Sequence, residues 1–294
     1  MIFFYANSGR KDRSKKASYI GLCVGGLCGF NFALLIPGTL SHTFNEKAME
    51  FLVCISKAPD TTSRIAFTEG DTRFNEEGVQ FIVNPYDEWY ALVRALELVE
   101  AHGGKVVIAS VGGADCDPIL RKALAIGAHE AIRIDANPQD AGQVASELAH
   151  YAKDKNFDAI LCGKETIDHN TSAVPAMMAE HLDVPCIALA TSLDYEGGKA
   201  ILTRETASGI EKITVQGTFV LSAAKGMAEQ RIPNMRGIMA ARSKPLQVVA
   251  AHGATAATSV DRFVLPSEKD GVKLVDADNP SELVRLLREE AKVI

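Results

Sequence analysis

From Glu50 onward the chain alternates short, uninterrupted apolar runs with segments whose apolar residues return every third or fourth position. Residues 51–55, 105–110, 131–134, 159–162 and 219–223 are of the first kind and are expected as buried strands. Residues 87–102, 118–126, 141–153 and 173–181 are of the second kind and are expected as helices. In the first helix Trp89, Leu92, Val93, Leu96 and Val99 share one face, and Gly103-Gly104 ends it because glycine accepts the left-handed conformation. Strands that are apolar along their whole length, separated by helices, predict a parallel sheet covered on both faces. Right-handed crossovers follow.

The texture changes after Ile187. Residues 190–195, 199–205 and 212–216 alternate apolar and polar positions around Glu196-Gly197-Gly198 and Ser208-Gly209, the pattern of an antiparallel hairpin meander. Residues 250–259 are rich in Ala, Thr and Gly without periodicity and read as linker. Residues 281–291 predict a short helix with Ser281 as N-cap and Leu283, Leu286 and Leu287 on one face. Such a helix on such a linker needs a surface, its own domain's or a partner's. The expectation is an α/β protein: a doubly wound, mostly parallel sheet, an antiparallel hairpin extension and an extended C-terminal arm. It divides into an N-terminal extension (1–48), an α/β domain (49–245) and the arm (246–294).

The extension is unlike the rest. A basic stretch from Arg10 to Lys16 precedes a mostly apolar run over 18–38. About 20 apolar residues is membrane length, and basic-then-apolar order also resembles a signal peptide. The favoured third reading is a mis-assigned start. Met49 stands directly before the first strand, and the apolar run is rich in Gly and carries Asn31. A cytoplasmic chain is then expected.

Composition narrows the function. The 294 residues are 47% hydrophobic and 23% charged, with a formal net charge of -6. No basic patch interleaved with aromatics suggests nucleic acid as a partner. Of the six cysteines, Cys54, Cys116, Cys162 and Cys186 form no CxxC pair and sit beside no ligand-spaced histidine, so neither zinc nor an iron–sulfur cluster is indicated. Reduced, buried thiols are expected.

In an open parallel sheet ligands sit beyond the carboxyl ends of the strands, so the residues following each strand are the candidates. Asn84-Pro85-Tyr86-Asp87-Glu88 starts the first long helix with two acids that suit its dipole. It reads either as a capped helix start or as a turn that lays the Tyr86 ring on a flat cofactor. Val111-Gly112-Gly113 is either a tight turn or a close backbone approach to a ligand. Residues 163–173 form a small, polar loop that opens a helix, where unpaired N–H groups accept phosphate. Thr171 and Ser172 could add hydroxyl donors. The plainer alternative is that Asn170, Thr171 or Ser172 only caps the helix. A Walker phosphate loop and GxGxxG are absent, and no catalytic set stands out. His169 reads as a solvated loop histidine. Residues 230–245 join Ile232 and Met235 to basic residues, a surface suited to a protein partner; the alternative packs Ile238 and Met239 inward.

Taken together, these segments resemble the electron-transfer flavoprotein beta (small) subunit. The resemblance runs from Met49 to Ile294. It rests on the Asn84–Glu88 turn, Ser110-Val111-Gly112-Gly113, the stretch RKALAIGA from Arg121, Gly163 to Asp168, Thr203-Arg204-Glu205, and the Pro-x-x-x-Gly-Ile-Met-x-Ala-Arg segment from Pro233. Each is weak alone; their shared order and spacing is specific. The resemblance implies an adenine-nucleotide-hydrolase-like fold and a heterodimer with an alpha subunit that holds most of one FAD. It implies an AMP buried in this chain, and an electron carrier rather than an enzyme. Flavin dehydrogenases of the acyl-CoA type would donate electrons and a membrane quinone oxidoreductase would accept them. A stand-alone nucleotide-binding regulator on the same fold is the rival. By position, the nucleotide would touch Cys54, Asn84, Pro85, Tyr86, Asp87, Val111, Asp168, His169, Asn170, Thr171, Ser172, Ala173, Val174, Pro175, Ala176 and Met177. Arg231, Ile232, Met235, Arg236, Met239 and Arg242 would dock partners, with Met235 as apolar anchor. Where many relatives read Asp-Gly-Asp-Thr-x-Gln-Val-Gly, this chain has Asp168-His169-Asn170-Thr171-Ser172-Ala173-Val174-Pro175. The lost glycines and glutamine argue against a second FAD there.

Overall fold

Apolar side chains on alternate positions of the central strands face opposite ways, and both sets are buried. The computed structural model describes residues 48–85, 87–267 and 271–294, all within the unit Glu46–Ile294. The readings of the segment before Met49 (Ala48 apart), its Cys23 and Cys28, and the reading of Tyr86 fall outside the described residues.

The chain begins with β1 (Met49–Cys54), β2 (Lys57–Pro59), β3 (Phe67–Thr68), β4 (Arg73–Phe74), β5 (Phe81–Val83) and α1 (Asp87–His102). It continues through β6 (Gly104–Val111), α2 (Asp117–Ile126), β7 (Glu130–Asp135), α3 (Ala141–Lys153), β8 (Ala159–Gly163) and α4 (Val174–Leu182). It ends with β9 (Cys186–Glu196), β10 (Lys199–Thr206), β11 (Gly209–Val215), β12 (Phe219–Ala223), α5 (Met235–Ala241), β13 (Leu246–Ala250) and α6 (Pro280–Glu289).

The main sheet has the order β11-β10-β9-β12-β8-β1-β6-β7-β13. From β9 to β13 every neighbouring pair is parallel. β10 is antiparallel to both β9 and β11, which makes the expected hairpin extension at one edge. Phe51 and Val53 of β1 pack with Leu92 and Leu96 of α1 and Leu120 and Leu124 of α2. Leu52 and Cys54 turn to the other face, with Leu148 of α3 and Met178 of α4. Each such side chain contributes about 1.5–3 kcal/mol by leaving water, so the two half-cores hold the sheet from both sides. Gly103 (φ 80°) ends α1 as expected, and at Gly104 an added Cβ would meet the Met49 carbonyl oxygen at 1.9 Å.

Several local features differ from expectation. The segment between β1 and α1 folds into two small antiparallel pairs, β2 with β5 and β3 with β4. β13 extends the sheet to Ala250, pairing in parallel with β7. α6 is capped by Asn279, which accepts from the Glu282 N–H, not by Ser281. Pro280 at its first turn fits a position whose N–H has no helical partner anyway. Residues 252–258 form a strap across α3. Glu147 accepts the N–H groups of His252, Gly253 and Ala254, and Asp140 those of Ala257 and Thr258. Farther on, Phe263 stacks on Phe67 with ring centroids 4.7 Å apart. Val264, Leu265, Val272 and Leu274 are exposed, and α6 buries Leu286 alone. Cys54, Cys116 and Cys162 are buried free thiols, whereas Cys186 is exposed. Among the described residues no helix is long and apolar enough to cross a membrane.

Candidate functional site

The strand order reverses at β1: β6 and β7 build outward on one side, β8 and β12 on the other. A crevice therefore opens beyond the carboxyl end of β1, flanked by Val111 at the end of β6 and Gly163 at the end of β8. Proline pushes its preceding residue out of the helical region, so Pro85 keeps Asn84 out of α1. Asn84 is fully buried. Its amide donates to the Glu165 carbonyl at 2.9 Å and accepts from the Ile167 N–H at 3.0 Å. One side chain thus stitches the entry of α1 to the loop after β8. Replacing Asn84 by Ala is expected to cost about 2–4 kcal/mol, since it orphans a buried donor and acceptor. Urea unfolding measures it.

Two acids follow. Asp87 is half-buried; burial raises its pKa, opposed by the charge of Lys164. Glu88 is buried, and it accepts from the Ser56 N–H at 2.8 Å and the Ser56 hydroxyl at 2.6 Å. Burial pushes its carboxyl up to about 8. α1 presses so closely on the end of β8 that a Cβ at Gly163 would lie 2.7 Å from Glu88 Cγ. Glu88 and Ser56 both lie in segments that follow the strands, but neither is among the residues that the resemblance places against the nucleotide. The signal exists: Glu88 precedes Leu92 by four positions and so lies on the apolar stripe of α1.

The loop beyond Gly163 carries most of the expected contacts. Residues 168–172 are exposed, and Asn170 (φ 49°) and Ser172 (φ 51°) hold left-handed backbone, which is uncommon outside glycine. The capping alternative fails. α4 has Ala173 at its N-cap with no side-chain bond, and the Ser172 hydroxyl turns back to Glu165 at 3.2 Å. The first turn of α4 thus keeps N–H groups that no capping side chain takes, and Pro175 lies in that turn. His169 is exposed, 3.7 Å from the Asp168 carboxylate. Val174 is half-buried and Ala176 and Met177 are exposed. Cys54 packs beneath α4, its thiol 3.9 Å from the Met178 sulfur. Val111, the last residue of β6, is half-buried. Gly112 has a packing reason: an added Cβ would meet the Cys116 sulfur at 2.3 Å. Two cavities lie elsewhere, one of about 240 Å³ beside Asn156, Tyr195 and Thr218, the other of about 200 Å³ beside Thr68 and Glu76.

The segment expected to dock partners is held by its own polar contacts. Asn234 caps α5 by accepting from the Gly237 N–H at 2.8 Å. Arg231 pairs with Glu100, and its carbonyl accepts from the Trp89 indole. Ile232, Met235 and Met239 are 83%, 73% and 68% exposed. Arg236 and Arg242 are exposed around them. The inward-packing alternative is not realised: Ile238 is 41% exposed, and Ala241 is the residue that packs inward.

Fold and strand-tip face together define a mostly parallel α/β protein with polar loops gathered at the topological switch point. Residues 71–254 match the family model described as electron transfer flavoprotein domain. The chain is 36% identical over 261 residues to the electron transfer flavoprotein subunit beta of Bacillus subtilis (strain 168), covering 84% of this chain and 100% of that one. The human subunit of the same name is 31% identical over 207 residues, 68% of this chain and 81% of that one. The acryloyl-CoA reductase electron transfer subunit gamma of Anaerotignum propionicum is 28% identical over 208 residues, 68% and 77% of the two chains. The chain belongs to the electron transfer flavoprotein family, among its beta subunits, and its function is electron transfer.

Proposed function

We propose that this chain works as half of a cytoplasmic heterodimer. An alpha subunit holds most of one FAD, and this chain receives AMP at its strand tips on the adenine-nucleotide-hydrolase-like sheet. Electrons enter from flavin dehydrogenases of the acyl-CoA type and leave to a membrane quinone oxidoreductase. FAD, when bound, supplies the redox chemistry; the protein supplies position and docking.

The observation that carries this reading is the start of α4. It lacks a side-chain cap, opens from an exposed polar loop and faces the switch point, which suits a phosphate group. Asn84 ties that loop to the entry of α1. The exposed Ile232, Met235 and Met239, with Arg231, Arg236 and Arg242 around them, suit an apolar pocket with an acidic rim on a dehydrogenase. The exposed apolar residues of the arm, Val264, Leu265, Val272 and Leu274, suit the alpha subunit.

The test is expression of the full chain with and without its alpha partner. Alone it is expected to be colourless; the co-purified pair is expected to be yellow. Mass spectrometry of the denatured pair is expected to release FAD and AMP. Stoichiometric FAD on this chain alone overturns the division of labour, and a stable monomer that holds AMP unaided favours the stand-alone regulator.

A further inference from the structure

One group at the switch point has no part in that reading. Glu88 is sealed between the exit of β1 and the end of β8, with its two oxygens on the two donors of Ser56. Gly163 closes over it, leaving no space for even a methyl group. Among the described residues, the two charged neighbours that act most on it are acids, Asp168 from the loop after β8 and Asp87 from its own helix. On β8 the buried Cys162 thiol feels its charge in turn. Lys164, the nearby cation, pairs with Glu165 at 2.8 Å and acts on Asp87.

We propose that Glu88 is a positioning residue that couples anion binding at the strand tips to a proton, a proposal that rests on the reading that a nucleotide phosphate is received there. In its neutral form one oxygen accepts from the Ser56 N–H and the acid O–H donates to the Ser56 hydroxyl, which suits the 2.6 Å separation. The turn at the mouth of the crevice is then held without a charge. In its ionised form the same bonds persist, but a buried negative charge is added beside Asp87 and Asp168, at the strand tips that the phosphate is proposed to reach. A phosphate therefore favours the protonated carboxyl, and by linkage the protonated carboxyl favours the phosphate. Burial, with Asp168 and Asp87 adding to the rise and the Ser56 bonds opposing it, already places the titration at about 8. A bound anion moves it further upward. Affinity is thus full below that pH and falls as pH rises through it.

The test is AMP binding to the co-purified pair of this chain and its alpha subunit, freed of AMP, by titration calorimetry between pH 7 and 10. The AMP phosphate stays a dianion throughout, its second pKa being about 6 as for other phosphate monoesters. Affinity is expected to fall about tenfold across the range, as it does when a bound anion raises the proton affinity of one carboxyl about tenfold, with proton uptake seen as a buffer-dependent heat. Glu88→Gln is expected to flatten the profile; the slope is the readout, whatever the level. A wild-type profile that is flat, or a Gln variant that keeps the wild-type slope, overturns the proposal. Inorganic phosphate, read through the thermal midpoint at the same pH values, separates the two layers. If phosphate shows the slope and AMP binds at no pH, the nucleotide reading fails and the coupling stands. If neither anion binds, both fail.

Discussion

Glu88→Gln is expected to make the folded chain more stable at pH 9, by on the order of 3–5 kcal/mol, and to leave it nearly unchanged at pH 5. The wild-type carboxyl titrates near 8 in the folded state, against 4.5 without the fold. Between those values the native protein binds a proton that the unfolded chain has released. Stability therefore falls as pH rises from about 4.5 to 8 and stays low above, since unfolding frees the group to ionise in water. Every tenfold gain in proton affinity on folding corresponds to about 1.4 kcal/mol, which sets the upper end of the range. Glutamine has the shape of the neutral acid. Its carbonyl accepts from the Ser56 N–H and its amide donates to the Ser56 hydroxyl, so little is lost at low pH. Urea unfolding of both proteins from pH 5 to 9 measures the effect. Parallel stability curves would show that Glu88 is ionised throughout and that its burial is compensated by something other than a proton.

The frame of this protein is legible without coordinates because its main strands are buried on both faces. Runs such as Phe51–Ile55 can hardly be anything else, and they lie in β1, β6, β7, β8 and β12. β13 is not legible. It is an edge strand with one side toward solvent, and its Leu246–Ala250 is short and half-exposed. β2 to β5 span two or three residues each, too few to show a period. At the site, the loop after β8 follows from topology, but its detail does not. Asn170 is a residue type that tolerates left-handed backbone, but the same conformation at Ser172 carries no mark, and there the hydroxyl bonds Glu165 instead of capping α4. Two acids at the start of α1 suggest that Glu88 serves the helix dipole. Its place on the apolar stripe, four residues before Leu92, marks it for burial instead. The strap over α3 looks like linker in sequence because most of its bonds to Glu147 and Asp140 come from backbone N–H groups, which leave no pattern in the side chains.

Lys244→Met is expected to destabilise the protein by about 2–3 kcal/mol and to free α5 locally before the rest of the fold opens. The Lys244 ammonium donates to the carbonyls of Leu124, Gly127 and Ala128 at 2.9, 3.2 and 2.6 Å. These are acceptors at the end of α2, where a cation also meets the negative end of the helix dipole. Burial holds the Lys244 pKa below its usual value, so leaving water offsets part of the Coulombic gain; hydrogen bonds from a charged group still contribute about 1.5–3 kcal/mol net. From the other side Arg121 of α2 donates to the carbonyls of Ala241 and Lys244, both at 2.7 Å. The two cations form a reciprocal clasp between α2 and the end of α5. Gly237 completes it: an added Cβ would lie 2.4 Å from the Ala125 carbonyl oxygen, so the backbones touch there. Methionine keeps the apolar stem of Lys244 and removes only the donors. Because both cations hold one segment, Lys244→Met and Arg121→Ala together are expected to cost less than the sum of the single changes. Amide hydrogen exchange should speed up over 235–244 in either variant while β1 stays protected. Loss of protection spread evenly over the sheet would show that the clasp supports the whole domain and not the exposed face formed by Ile232, Met235 and Met239.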